Sequence, residues 1–249
     1  MIDLHCHILP GIDDGAASLA ESVEIARGAV RDDIVAIVAT PHVRDDYPTT
    51  ASTMERLVDE VRDALAGERI PIEVLRGGEV ALDALMALEE PELRRFALGG
   101  AGRYLLVEFP YMGWPLPLPD QIERLHALGL GCVIAHPERS PDVQERPERL
   151  APLVEAGALV QLTASSLDGR LGRRSHRCAI RLLDAHLAHA VASDAHGPLT
   201  RAVGMSGAAS AVGDDALARW LTVEVPTAIV AGDDVPPRPR RRRRWGFGR

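Results

Sequence analysis

Met1-Ile2-Asp3-Leu4-His5-Cys6-His7 opens the chain with a short apolar run that ends in two imidazoles at i and i+2. On a β-strand alternate side chains share a face, so His5 and His7 can hold one ion together while Leu4 and Cys6 point the other way. Taken alone, the pair leaves a metal site and an accident of composition equally open.

The pattern recurs, and the recurrence carries the fold. The apolar run 34–39 leads into Thr40-Pro41-His42, and 72–75 leads through Gly77-Gly78 into Glu79. Residues 104–107 end at Glu108 and 132–135 at His136, whereas 158–162 end at Thr163, which is no strong ligand. Residues 190–193 end at Asp194-Ala195-His196, a second i, i+2 pair. From His7 to His42, Glu79, Glu108 and His136 the successive intervals are 35, 37, 29 and 28 residues, about the length of a strand-plus-helix unit. Helix-like stretches lie at 18–30, 52–65, 119–128, 147–155, 173–187 and 214–221. Ser18-Leu19-Ala20-Glu21 reads as a capping box and Pro147 as a first-turn proline.

Alternating strands and helices predict an α/β chain with a mostly parallel sheet. Seven strands with polar groups at their C-terminal ends favour a closed or nearly closed barrel. An open doubly wound sheet, the alternative, gathers its ligands at one switch point instead. With 249 residues and 46% hydrophobic content, the chain can bury one full core. No apolar run approaches the length of a membrane span, and no signal peptide precedes the first strand, so the expected location is cytoplasmic.

Cys6, Cys132 and Cys178 lack metal-type spacing and read as small buried thiols. A cysteine phosphatase needs an arginine six positions after its nucleophile. Those positions hold Ile12, Glu138 and Asp184, which excludes that mechanism.

All 28 basic residues are arginine, and seven fall within 236–249. Without that segment's seven charges the net charge of −8 becomes −15. The division is therefore a folded body, 1–235, and a disordered Pro/Arg-rich tail, 236–249. The tail is either a solvated terminus or a contact for an anionic surface such as the inner membrane face, and no nucleic-acid partner is expected.

Read in order, Ile2-Asp3-Leu4-His5-Cys6-His7-Ile8-Leu9-Pro10-Gly11-Ile12-Asp13-Asp14-Gly15, Thr40-Pro41-His42, Gly78-Glu79 and Leu106-Val107-Glu108-Phe109-Pro110 form a series of motifs. It continues through Ile134-Ala135-His136-Pro137-Glu138-Arg139, Leu162-Thr163-Ala164-Ser165-Ser166-Leu167 and Ala192-Ser193-Asp194-Ala195-His196. The series, over about residues 1–205, resembles the polymerase-and-histidinol-phosphatase (PHP) superfamily. More narrowly, it resembles the capsule-type bacterial protein tyrosine phosphatases of the CpsB/CapC/YwqE group. The resemblance implies a distorted seven-stranded (β/α)7 TIM-like barrel and three divalent metal ions, manganese foremost with iron or zinc as alternatives. It assigns His5, His7, Glu79 and Asp194 to a first ion, a bridging Glu79 with Glu108 and His136 to a second, and Asp14, His42 and His196 to a third.

It also implies hydrolysis of a phosphotyrosine protein, such as a bacterial tyrosine kinase or a polysaccharide-export protein. Water held by the ions would be the nucleophile, and Arg139 and Arg201 would clamp the phosphate. A small-molecule phosphatase, such as histidinol phosphatase, and a non-catalytic metal-binding regulator are the alternatives. Gly197 and Ala202 depart from the family pattern, which has Asn after the last histidine and an Arg-Pro pair later. Asp3 and Asp13 are expected to orient ligands. Tyr111, Trp114, Arg44 and Tyr47 are candidate rim residues. His126, His176, His186 and His189 are expected to face solvent or cap helices.

Overall fold

The computed structural model describes residues 1–199 and 201–239. Its strands are β1 (Ile2–Cys6), β2 (Ala36–Ala39), β3 (His42–Arg44), β4 (Tyr47–Pro48), β5 (Glu73–Arg76), β6 (Glu79–Val80), β7 (Tyr104–Glu108), β8 (Gly131–Ala135), β9 (Leu159–Thr163) and β10 (Ala190–Ala192). Each of the seven apolar runs supplies a strand, and helices separate most of them. All pairings are parallel except β3 with β4. This is the α/β arrangement that alternating strand and helix patterns require.

The strands form two sheets, β1-β2-β5 and β10-β9-β8-β7-β6-β3-β4, rather than one continuous closed ladder. The second and third apolar runs each break in two, with one part in either sheet. Pro41, between β2 and β3, has no N–H to continue a ladder. Gly77 and Gly78, between β5 and β6, are squeezed: a Cβ on Gly77 would lie 2.6 Å from Val38 Cγ1, and one on Gly78 2.7 Å from Phe96 Cδ1. The first and last strands meet where Asp194 N donates to His5 O (2.8 Å) and His7 N to Ala195 O (2.9 Å).

Amphipathic helices cover the sheets. Helix Leu19–Arg31 buries Val23, Ile25, Ala26 and Ala29, the spacing of one helical face. Ser18 Oγ accepts from Glu21 N, as the capping box requires, but the Glu21 carboxylate accepts from Ala17 N rather than Ser18 N. Pro147 opens a short 3-10 turn, Pro147–Leu150, that continues as helix Ala151–Glu155. Helices Leu82–Ala87, Glu90–Arg95, Met205–Val212 and Val225–Ala231 are additions to the sequence reading.

The three cysteines are free and buried, and burial pushes the Cys132 and Cys178 thiols up to about 12. His189 departs from its expected solvent-facing position. Its Nδ1 accepts from Val160 N (3.1 Å), and burial followed by the charge of Arg238 lowers its pKa to about 4. Arg238 itself donates to Leu183 O and Ala188 O (both 3.0 Å), and Trp220 Nε1 donates to Pro236 O (2.9 Å). The start of the arginine-rich segment is thus held against the body; the rest of the expected disordered tail, 240–249, lies outside the described residues. Among the described residues no helix is long and apolar enough to cross a membrane.

Candidate metal centre

The nine candidate ligands come together at the end of the fold where the apolar runs finish. His5 lies in β1 and His7 just beyond it, His42 begins β3, Glu79 begins β6, Glu108 ends β7, and His136 follows β8. Asp194 and His196 follow β10, and Asp14 reaches in from the loop after β1. All are buried except Asp14, at the open side. The loop closes over His7 only because residue 15 is glycine, since a Cβ there would lie 2.2 Å from His7 O. His136, Asp194 and Arg201 adopt left-handed backbone conformations (φ 35°, 53° and 50°), of the kind that concentrates at functional sites.

The proton positions around His5 and His7 define the chemistry. His7 Nδ1 is 2.7 Å from Asp13 Oδ2, and Asp13 also accepts from Gly15 N and His42 N. Burial opposes the Asp13 charge, but His7 and these donors hold its pKa at about 2, so the carboxylate only accepts and His7 Nδ1 carries the proton. His5 Nδ1 is 3.1 Å from Gln161 Oε1, again an acceptor. In the neutral rings both Nε2 atoms then present lone pairs, and they face each other at 3.1 Å. Glu79 Oε2 is 3.2 Å and 3.4 Å from them, and Asp194 Oδ1 is 3.4 Å and 3.5 Å away. Four acceptors thus converge with no donor between them.

The same imbalance extends outward. His196 Nδ1 donates to Asp194 O (3.0 Å), which leaves Nε2 as a lone pair 3.4 Å from Asp14 Oδ1. His42 Nε2 is also 3.4 Å from Asp14 Oδ1, and its Nδ1 is 3.0 Å from Glu79 Oε2. His136 Nε2 lies 2.8 Å from Glu79 Oε1, while Glu108 groups with His42 and Glu79. Glu79 Oε2, Asp194 Oδ1, His42 Nδ1 and His196 Nε2 are buried without a hydrogen-bond partner. Buried polar atoms rarely stay unpaired. A mixed imidazole and carboxylate set of this kind fits divalent transition cations.

Electrostatics agree. Burial disfavours charge on every group, yet Glu79 and Asp194 are held well below the usual carboxylate range, chiefly by His5. Burial also opposes imidazolium at both histidines, but Glu79 and Asp194 raise His5, and Asp13 followed by Asp194 and Glu79 raises His7. His196 goes the other way, pushed down to about 2 by burial and then by His7. Glu108 is raised, by burial and then by Glu79. The carboxylates therefore demand positive charge at their centre, and a cation supplies it without a proton.

Asp194 divides its oxygens. Oδ1 faces the cluster, while Oδ2 accepts from both Arg139 Nη1 and Arg201 Nη2. The Arg139 guanidinium lies 4.9 Å from the Tyr111 ring centroid, and that ring stacks on His136 at 6.0 Å. On the other side Tyr47 stacks on His42 at 5.6 Å, and Arg44 donates to Glu108 Oε1 (3.0 Å). Trp114 instead packs against Phe109 and Arg149. Asp3, its pKa raised to about 6 by burial, accepts from Ser193 N and Ser193 Oγ beneath β10.

Two supporting residues escaped the sequence reading. Gln161 stands out only as a lone amide within the apolar run of β9. Glu138 is fully buried and accepts from Thr163 N (2.9 Å) and Ser166 Oγ (2.7 Å), which fixes the turn that carries Arg139.

Known proteins resemble this chain in sequence and in fold. A family model for capsular polysaccharide synthesis, CpsB/CapC, matches residues 1–229. Tyrosine-protein phosphatase YwqE of Bacillus subtilis (strain 168) is 40% identical over 202 residues, covering 81% of this chain and 79% of its own. Tyrosine-protein phosphatase CpsB of Streptococcus pneumoniae is 28% identical over 204 residues, covering 79% and 83%. One solved structure, from work on YwqE of Bacillus subtilis and CpsB of Streptococcus pneumoniae as unique metal-dependent tyrosine phosphatases, superposes with a TM-score of 0.85 at 35% identity. That match covers 97% of this chain and 100% of the other. On the strength of the match over residues 1–229 and of these relatives, the chain belongs to the CpsB/CapC family of capsular polysaccharide synthesis proteins.

Proposed function

We propose that this chain is a metal-dependent phosphatase that hydrolyses phosphotyrosine in proteins. The observation that carries the reading is the convergence of His5 Nε2, His7 Nε2, Glu79 Oε2 and Asp194 Oδ1 on a point with no donor between them. His5, His7, Glu79 and Asp194 would hold one divalent ion, Glu79 with Glu108 and His136 a second, and Asp14, His42 and His196 a third. Mn²⁺ is the first choice, with iron or zinc as alternatives. When bound, such ions supply a nucleophile at neutral pH and stabilise charge on phosphoryl oxygens.

The chain's own residues do the rest. Asp13 and Gln161 keep the protons of His7 and His5 on Nδ1, so that both Nε2 atoms stay free. Arg139 and Arg201, joined through Asp194, would bind the phosphate; a guanidinium has five donors, and each uses one on Asp194. Tyr111 and Tyr47 form aromatic walls suited to an aryl phosphate. We further propose that the two sheets work as a distorted seven-stranded barrel with this site at its C-terminal end. The substrate would be a tyrosine kinase or another protein of polysaccharide export. Residues 236–249 would bring the enzyme to the cytoplasmic face of an anionic membrane.

Assays with added Mn²⁺ on a phosphotyrosine peptide, a phosphoserine peptide and histidinol phosphate test the reading. Turnover is expected on the phosphotyrosine peptide. Good turnover of histidinol phosphate with none of phosphotyrosine would overturn it.

A further inference from the structure

Helix Arg173–Asp184 presents Arg173, Arg174, Arg177 and Arg181 to solvent, while Cys178, Ala179, Leu182 and Leu183 face the core. At 3.6 residues per turn the four guanidinium stems fall within a sector of about 100°. Arg181 lies 4.0 Å from Glu148 and donates to Gln144 O (3.4 Å). Arg173, Arg174 and Arg177 have no ion-pair or hydrogen-bond partner among the described residues. Shortage of carboxylates is not the cause, because the chain carries 36 acidic residues against 28 basic ones. Most other arginines in the described body are paired, Arg95 with both Glu55 and Glu92. Like charges at i, i+4 and cations in the first helical turn each oppose helix formation. Arg173, Arg174 and Arg177 therefore add nothing to the fold and invite an external anion.

Its position ties it to the site. A cavity of about 390 Å³ lies between this helix and the segment after β8, lined by Pro141, Gln144, Glu145, Arg174, Arg177 and Cys178. Gln144 Nε2 donates to Glu138 O (3.0 Å), Arg139 O (3.4 Å) and Ser175 Oγ (3.4 Å). One wall of the cavity is thus bonded to the turn that carries Arg139.

We infer that this stripe and cavity dock an acidic segment of the same polypeptide whose phosphotyrosine enters the metal centre, an inference that rests on the phosphotyrosine reading. The substrate class would then be a phosphotyrosine flanked by Asp and Glu. The three unpaired arginines select it and outweigh the single opposing charge of Glu145 in the cavity lining. Charges of this kind act on encounter and affinity rather than on the chemical step.

The test uses the full chain with Mn²⁺ and two peptides of equal length, one with acidic and one with neutral flanks around a phosphotyrosine. The combined variant Arg173→Ala, Arg174→Ala, Arg177→Ala is compared with the parent. The parent's KM for the acidic peptide should be lower by about tenfold at low salt, and the advantage should shrink as salt rises. In the variant KM should rise to that of the neutral peptide, with kcat and p-nitrophenyl phosphate kinetics unchanged. Anisotropy of a labelled acidic peptide without phosphate reads docking even if phosphotyrosine turnover fails, so the two readings fall separately. Equal KM values in the parent, or an acidic preference surviving in the variant, would overturn the inference. So would loss of binding to anionic vesicles in the variant with peptide selectivity intact, which would assign the stripe to lipid.

Discussion

Replacing Asp13 by Asn removes one charge from the support of the metal centre without touching a ligand. Asp13 Oδ2 accepts from His7 Nδ1 (2.7 Å) and His42 N (3.0 Å), and Oδ1 accepts from Gly15 N (2.9 Å). An amide offers one acceptor. With its nitrogen at the Oδ1 position, Gly15 N–H faces another donor. With its nitrogen at the Oδ2 position, His42 N–H does so, and His7 keeps its contact only by moving its own proton to Nε2, where the lone pair is needed. A hydrogen bond to a charged group contributes about 1.5–3 kcal/mol, which matches the 10–100-fold loss of metal affinity typical of residues behind a ligand. Calorimetric titration of Mn²⁺ into chelator-stripped protein should show weakening of about that size, with circular dichroism unchanged and turnover recovering at high Mn²⁺. A folded Asp13→Asn protein with parental Mn²⁺ affinity would refute the argument that Asp13 sets the His7 tautomer.

Arg139→Ala should retain its metal, read by elemental analysis, while kcat/KM falls on the order of 10²-fold through loss of phosphate binding. Tyr111→Ala should raise KM for aryl phosphates several-fold, by about 1 kcal/mol of lost aromatic contact, whereas Tyr111→Phe should behave as the parent. His189 has a folded-state pKa near 4, below the 6.5 of a free imidazole, so the unfolded chain binds the extra proton between those values. Its contribution to stability is then fully present above pH 6.5 and is lost as pH falls towards 4, by about 3 kcal/mol. His189→Gln should flatten that part of a denaturation-versus-pH series; an unchanged slope would count against it. Deleting 240–249 should abolish salt-sensitive co-sedimentation with anionic liposomes, and equal binding of both chains would end the membrane role of the segment.

The α/β alternation, the seven apolar runs that each supply a strand and the polar residues that follow them are all legible in the sequence. Short continuous apolar runs, helical periodicity and a polar residue closing each run are local signals, and a parallel layout carries those residues to one end. The sequence did not reveal the break into two sheets, because Pro41 and the Gly77-Gly78 pair read equally well as turns or as kinks within a continuing strand. Helix Met205–Val212 was illegible for a different reason. Its first N–H groups are satisfied by Asp32, 173 residues away along the chain, so no local capping residue marks its start. How the ligands face one another is a property of the packed molecule. Lone-pair direction depends on which nitrogen of each imidazole carries the proton, and that is set by Asp13 on a neighbouring loop and by Gln161 on a distant strand. The arginine stripe on helix Arg173–Asp184 was visible as letters from the start. That Arg173, Arg174 and Arg177 lack partners among the described residues is a property of the packed surface, where charge pairing depends on distance in space rather than along the chain.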